Sequence, residues 1–381
     1  YKGKVMALFT PSASPAVTVK EIDLTGSVPN VQTSTGAIVG NFGWGPVGEA
    51  ILVSDETGLV SVFSAPTDDN TVDFHSAAYF LRYSNSLFVV REQDADAKNA
   101  VAQHSTLSLT AQTINNLDAF ETASIDSSDG AFIAKYPGVL GNSLKVSMVA
   151  SHSDSSSTAF NTWAYKDNFD EKPGTSSFVS ALGGKNDEVH IAVIDEDGLI
   201  SGTAGTVLET YPFLSVAKNA KNSEGSSIYF KDVLKNRSQW VYAGVGHTGA
   251  TTGTSDLIGA QWGNNATTGA EDFASTHPTE LSQSDWSFTG GVTSASLGTD
   301  DILRGYDKFE DVDNIEVDFL ISPSVTSTSD ATTVVNDLIS TAEGRKDCVA
   351  VASPSRTAVV DTGTNAAVLA CNNTYTKSTY F

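Results

Sequence analysis

The sequence predicts an α/β and α+β architecture of more than one domain, with a mixed-sheet core and a second domain built on parallel strands. Three patterns lead there. Short apolar runs at Ala37-Ile38-Val39 and Leu87-Phe88-Val89-Val90 bracket two helical stretches. Val189 to Ile194 opens a hairpin. Near the C-terminal end, two strand-like runs, Ile315 to Ile321 and Cys348 to Ala352, flank one amphipathic helix, and a crossover of that length implies parallel strands of right-handed connection.

From the N-terminus, Tyr1 to Val5 reads as a vector remnant and Met6 as the native start. Residues 6–24 read as an arm. Pro11 and Pro15 oppose early helix or central-strand structure, and the alternating run Val17, Thr18, Val19, Lys20, Glu21, Ile22 suits a strand that pairs through one edge. Such a strand can close a sheet of its own subunit or join a neighbour's. Ala37-Ile38-Val39 fills a buried strand, and the glycines and Pro46 behind it force a turn. Ser54 is placed to cap a short helix through Phe63, stopped by Pro66. A second helix sets Phe74, Ala77, Ala78 and Leu81 on one face, and Leu87 to Val90 follows as a buried strand.

Residues 92–133 change texture. Ala, Asn, Asp, Gln, Ser and Thr outnumber anchors such as Leu117 and Phe120, which predicts a small insertion, mostly loop, with one short helix near Asn115 to Ala123. Replacing Ala95 to Ser128 with a Gly/Ser linker is then expected to cost about 1 kcal/mol or less. Beyond Ala134, the expected hairpin pairs Val189 to Ile194 with Leu199 to Ser201 around Asp195-Glu196-Asp197-Gly198. Val207 to Ser215 is a strand interrupted by Pro212, Ser226 or Ser227 caps a helix through about Arg237, and Trp240 to Tyr242 is a strand. Gly246 to Gly269 and Thr289 to Gly298 read as loops. In the last unit, Thr328 or Ser329 opens a helix whose inner face carries Val334, Val335, Leu338, Ile339 and Ala342, with Gly344 able to end it in αL.

A chain of 381 residues holds roughly two or three domains and can bury enough area to need no disulfide or metal. The two cysteines, Cys348 and Cys371, read as free thiols in a reducing cytoplasm. No apolar run approaches a membrane span and no signal-peptide core is visible, so a soluble, cytosolic protein without direct membrane contact is expected. The net charge of −23 repels phosphate backbones, which argues against nucleic acid as a partner. It also opposes self-association, so any polymer must rely on backbone pairing or local charge complementarity.

Several blocks, in order, resemble a known family. They are Thr35 to Pro46, Val60 to Pro66, Ser76 to Tyr83 running into Leu87 to Arg91, Ala134 to Val146, Phe288-Thr289-Gly290-Gly291, the helix Asp300 to Phe309, and Arg345 to Pro354. Together they resemble the contractile tail sheath proteins of large tailed bacteriophages. The resemblance implies a structural, non-enzymatic virion subunit, assembled in the host cytoplasm as stacked hexameric rings around a tail tube protein, bounded by baseplate and tail terminator proteins. It implies no cofactor, metal or catalytic residue, and a contraction that drives the tube through the host envelope. Flexible arms, here Val17 to Ile22, would keep the lattice joined as strands added to neighbours' sheets. By this resemblance, residues 25–91 and 134–288 form a discontinuous core, 92–133 a reduced insertion, and 289–381 the α/β domain. Such proteins continue past the equivalent of Phe381, so the chain reads as C-terminally truncated. Sheaths of bacteriocins and secretion machines share this core, and the long N-terminal blocks favour a phage.

Other motifs are weaker. Gly253-Thr254-Ser255 with His247 and Asp256 suggests a subtilisin-like serine hydrolase, yet His and Ser lie eight positions apart in a Ser/Thr/Gly loop without strand-to-helix framing. Asp195-Glu196-Asp197-Gly198 opens like a calcium loop but has Thr206 where the bidentate Glu belongs, which leaves a hairpin turn. Gly183-Gly184-Lys185 lacks the remaining residues of a phosphate cradle, having Val179 at the first glycine position. The six histidines show no ligand spacing, and the five tryptophans are too scattered for a stacking platform.

Overall fold

The computed structural model describes residues 34–103, 112–125, 129–151, 158–244, 262–269, 271–273, 283–294, 297–325, 327–360 and 363–375. The elements run β1 (Gly36–Gly40), β2 (Ala50–Val53), α1 (Glu56–Phe63), α2 (Thr71–Leu81), β3 (Leu87–Arg91), β4 (Val101–Gln103), α3 (Leu117–Thr122), β5 (Phe132–Ala134) and β6 (Leu144–Ala150). They continue with α4 (Thr158–Thr162), α5 (Ser177–Ala181), β7 (Glu188–Asp195), β8 (Thr206–Ser215), α6 (Phe230–Arg237), β9 (Val241–Ala243), β10 (Gln283–Thr289) and α7 (Thr299–Tyr306). The last are β11 (Phe319–Ile321), α8 (Thr328–Arg345), β12 (Val349–Val351), α9 (Arg356–Val359) and α10 (Thr364–Tyr375).

Two sheets result, one mixed and one antiparallel. The first has the order β12-β11-β1-β3-β2, parallel except for β2. Its central strands β1 and β3 are apolar on both faces, and both of those faces are covered. Ile38, Leu87 and Val89 pack against Leu59 and Phe63 of α1 and Phe74, Ala77, Ala78 and Leu81 of α2. Ala37, Val39, Val90 and Leu320 pack on the opposite side against Ile302 and Tyr306 of α7 and Val334 and Leu338 of α8. The predicted inner faces of α2 and α8 and the parallel β11–β12 crossover are therefore present. The second sheet has the order β8-β7-β6-β10-β4-β5-β9, each pair antiparallel. Val146, Met148, Ile191 and Val193 face a large core shared with Phe230 and Leu234 of α6, while Val149, Ala192 and Ile194 face a smaller one built on Trp163 and Phe169.

The strand partners differ from expectation. Gly36 to Arg91 shares its sheet with Phe319–Ile321 and Val349–Val351, not with residues 134–288. Apolar runs announce burial but do not name the neighbour, and β1 finds one on each side in segments about 50 and 280 residues away. The edge strand β2 was not anticipated. Residues 92–133 also pack more than their composition suggests: β4 lies between β10 and β5, and Ala97, Asn99, Ala100, Ala102 and Ile114 are buried. Asn99 explains how so polar a segment can do this. Its side chain donates to the carbonyls of Ile114 at 3.0 Å and Ala134 at 2.9 Å and accepts from the Ile114 amide at 2.7 Å.

Smaller corrections have local causes. Asp55, not Ser54, caps α1, accepting from the Gly58 amide at 2.7 Å, and its charge complements the helix N-terminus. Leu199 to Ser201 is turn rather than strand, because the Asp195 carboxylate gathers the amides of Gly198, Ile200 and Ser201. The return strand is β8, which tolerates Pro212 at the sheet edge through register shifts and a positive φ of 50° at Phe213. Helix α6 begins after Tyr229, since the Ser227 hydroxyl is engaged with Asp232. Helix α8 runs through Gly344, and Lys346 takes the αL position instead.

Candidate functional site

Among the described residues, the most distinctive features are a sheet edge without a second strand partner and a buried joint between the two sheets. Among the described residues, β12 pairs only with β11. The Val349 amide donates to Asp318 O and Val351 O accepts from the Ser322 amide, both at 2.8 Å. Because neighbouring residues of a strand point their backbone groups to opposite sides, the N–H and C=O of Ala350 face the open side. Val349 and Val351 are 59% and 49% exposed, so the edge is apolar as well as unpaired among the described residues.

Two anchors hold that edge in place. Arg345, at the end of α8, donates to the carbonyls of Phe309 at 2.6 Å and Ile315 at 2.9 Å and pairs with Asp347 at 3.0 Å. The Tyr306 hydroxyl donates to Ile321 O and accepts from the Val39 amide, tying α7 to β11 and β1. Asp73 of α2 adds a third tie from the opposite layer, accepting from the Asn41 amide at 3.1 Å and the Ser324 amide at 2.8 Å. Burial raises its carboxyl to about 6 against the pull of those two amides.

The joint is built from the segment that reads in sequence only as a glycine-rich turn. Phe42 lies in the core of the first sheet, while Trp44, two residues on, lies in the core of the second, against Trp240 at 5.1 Å and Tyr136 at 5.4 Å. Arg91, fully buried at the end of β3, grips this crossing. Its Nε donates to Phe42 O at 2.8 Å, Nη1 to Gly45 O at 2.6 Å and Nη2 to Pro137 O at 2.6 Å. Burial lowers its guanidinium to about 9, which still leaves it charged at neutral pH. Gly45 (φ 102°) and Gly138 (φ 140°) let the backbone approach: a Cβ at 45 would sit 2.9 Å from Phe63 Cδ1, and one at 138 would sit 3.1 Å from Thr293 Oγ1. Next to Arg91, buried Glu92 pairs with Arg304 at 2.8 Å, and burial raises its carboxyl despite that partner. The sequence signal for this joint was available, an arginine ending an apolar strand, but neither its burial nor its acceptors could be read from it.

The proposed arm, Val17 to Ile22, lies outside the described residues, as do His247, Gly253, Thr254, Ser255 and Asp256. Asp195 forms a turn. Burial would raise it, but hydrogen bonds from Ser143, Ser201 and Ile200 hold it below the usual carboxylate range. Among the described residues no group of acidic, His or Cys side chains could hold a metal ion, and no helix is long and apolar enough to cross a membrane. Cys348 is a half-buried free thiol.

No protein-family model matches the chain. A tail sheath protein of Salmonella phage ViI is 36% identical over 203 residues, 53% of this chain and 29% of that relative. The tail sheath protein of Enterobacteria phage T4 is 42% identical over 88 residues, 23% of this chain and 13% of the relative. That of Vibrio phage KVP40 is 35% identical over 124 residues, 32% and 18% of the two chains. The chain is related to the phage tail sheath proteins. The matched stretches span less than a third of these sheath relatives' own lengths. Among solved structures, a sheath tail protein of Listeria innocua aligns with 80% of this chain and 44% of its own length, at 11% identity and a TM-score of 0.39. One from Desulfitobacterium hafniense aligns with 89% and 56%, at 12% identity and a TM-score of 0.39.

Proposed function

We propose that the chain is part of the structural subunit of a contractile phage tail sheath. The subunit polymerises as stacked hexameric rings around a tail tube protein, between baseplate and tail terminator proteins. It is assembled in the host cytoplasm, becomes part of the virion, and contracts to drive the tube through the host envelope. The relation in sequence to three tail sheath proteins, all from phages, carries this reading and favours a phage over a bacteriocin or secretion machine.

The open edge of β12 supports a mechanism for cohesion. An extended arm such as Val17 to Ile22 of a neighbour can add to Ala350 as a further strand, gaining ladder hydrogen bonds and covering Val349 and Val351. Arg91 and Trp44 support the complementary requirement, that a contracting lattice moves rigid subunits whose two sheets are pinned together. Negative-stain microscopy of the full-length protein tests the proposal. Long hollow cylinders are expected; a persistent monomer under sheath-forming conditions would overturn it. An activity-based serine probe addresses the hydrolase alternative, which labelling abolished by Ser255→Ala would favour.

A further inference from the structure

Cations are scarce in this chain, 22 against 45 acidic residues, yet three of them surround one hollow. Lys218, Lys231 and Lys235 line a cavity of about 430 Å³ beside α6, whose apolar wall is Tyr229, Phe230 and Trp262. The Phe230 ring lies 6.0 Å from Trp262 and 5.1 Å from Tyr229. Lys231 Nζ donates to Gly244 O at 2.6 Å and lies 5.9 Å from the Phe230 ring, and Lys235 pairs with Glu121 at 2.9 Å. Lys218 is exposed. Among the described residues, Asp232 is the one carboxylate in the lining, and it accepts from Ser227. Burial, and then the charge of Lys218, lower the Lys231 ammonium to about 8.

A ligand for such a site carries carboxylates around an apolar tip. Among the described residues, the chain presents one on another surface. Val312 is an exposed large apolar side chain, 41% accessible, with exposed Glu310, Asp311 and Asp313 around it. That turn is preformed: the Asp311 carboxylate accepts from the Asp313 amide at 3.0 Å and from Asn314 Nδ2 at 2.8 Å, and Arg345 Nη1 donates to the Asp311 carbonyl at 3.3 Å.

We propose that the Lys218–Lys231–Lys235 hollow of one copy receives the Glu310–Asp313 turn of a second copy. Val312 enters the aromatic wall, and Glu310 and Asp313 meet the ammonium groups. The contact joins two different surfaces, so it is head-to-tail and repeats into a ring or a helix. It supplies the local charge complementarity that a −23 subunit needs to polymerise, and to that extent it rests on the assembly reading above.

The test places the photo-crosslinker p-benzoylphenylalanine at position 312 of the full-length protein and irradiates its assembled form. Mass spectrometry is expected to find intermolecular adducts on residues 218–235 and 262–263. Lys218→Glu with Lys235→Glu should lower the yield at least about tenfold, and Glu310→Lys with Asp313→Lys in the labelled copy should restore it. Adducts confined to other surfaces, or yields indifferent to the charge reversals, overturn the proposal. Microscopy of the same sample separates the two readings. Ordered assemblies with the label elsewhere sink the docking site alone, whereas the absence of any assembly sinks both.

Discussion

Arg91, at the end of the central β3 strand, donates Nη2–H to the carbonyl of Pro137, which leads into the second sheet, at 2.6 Å. Both groups are remote from solvent, and the same guanidinium holds two carbonyls of the 42–45 loop. A planar fork of donors is the side chain that can satisfy three carbonyls from two loops at once.

Arg91→Met should therefore destabilise the chain by about 3 kcal/mol or more, because three buried carbonyls lose their donor. Arg91→Lys should recover only part of this, since one ammonium cannot reproduce the fork. Urea unfolding followed by tryptophan fluorescence checks both. A shift within a few tenths of a kcal/mol for Arg91→Met would show that the joint is unimportant.

Asp73 predicts a pH dependence. Its folded carboxyl lies at about 6 against an ordinary 3.8, so between those values the native state binds more protons than the unfolded chain. The sign follows: stability associated with this group is greatest below about pH 4 and falls as pH rises through 6, by roughly 3 kcal/mol. Buried Glu92 and half-buried Glu188 shift in the same direction. The measurement is accordingly a difference: wild type should lose more stability than Asp73→Asn between pH 4 and pH 6.5. Parallel curves would remove Asp73 from the account.

Asn99 predicts the failure of a deletion that composition alone would allow. Asn99→Ala, which strips three buried hydrogen bonds, should cost about 2–3 kcal/mol. Replacing Ala95 to Ser128 with a Gly/Ser linker should abolish cooperative unfolding, because β4 would leave its place between β10 and β5. Calorimetry distinguishes this from a small change in melting temperature.

The open edge predicts separable fold and assembly. Ala350→Pro removes an outward N–H and no β11 hydrogen bond, so the melting temperature should move by only a few degrees while sheath formation by the full-length protein is lost. Val19→Pro in the arm should act likewise from the donor side. Normal tubes from both variants, seen by microscopy, would refute strand addition at this edge.

At a net charge of −23, the 381-residue chain should sediment at low concentration as a monomer of 40.0 kDa. Stable hexamers under those conditions would show that attraction between copies outweighs the repulsion.

Local pattern determined the elements whose signal is contained within them. The inner faces of α2 and α8 follow from the spacing of Phe74, Ala77, Ala78 and Leu81 and of Val334, Val335 and Leu338, and the parallel β11–β12 pair follows from the length of the crossover. Ordered blocks from Thr35 to Pro354 were enough to suggest the family. Tertiary structure decided what depends on distant partners. β1 selects β3 and β11, Trp44 leaves its local turn for the core of the other sheet, and Asn99 turns a polar stretch into a packed one through Ile114 and Ala134. The same holds for Arg91, whose carbonyl acceptors lie some 46 to 49 residues away on two sides of the chain. Strand alternation and helical spacing state which side of an element is buried, and say nothing of what buries it.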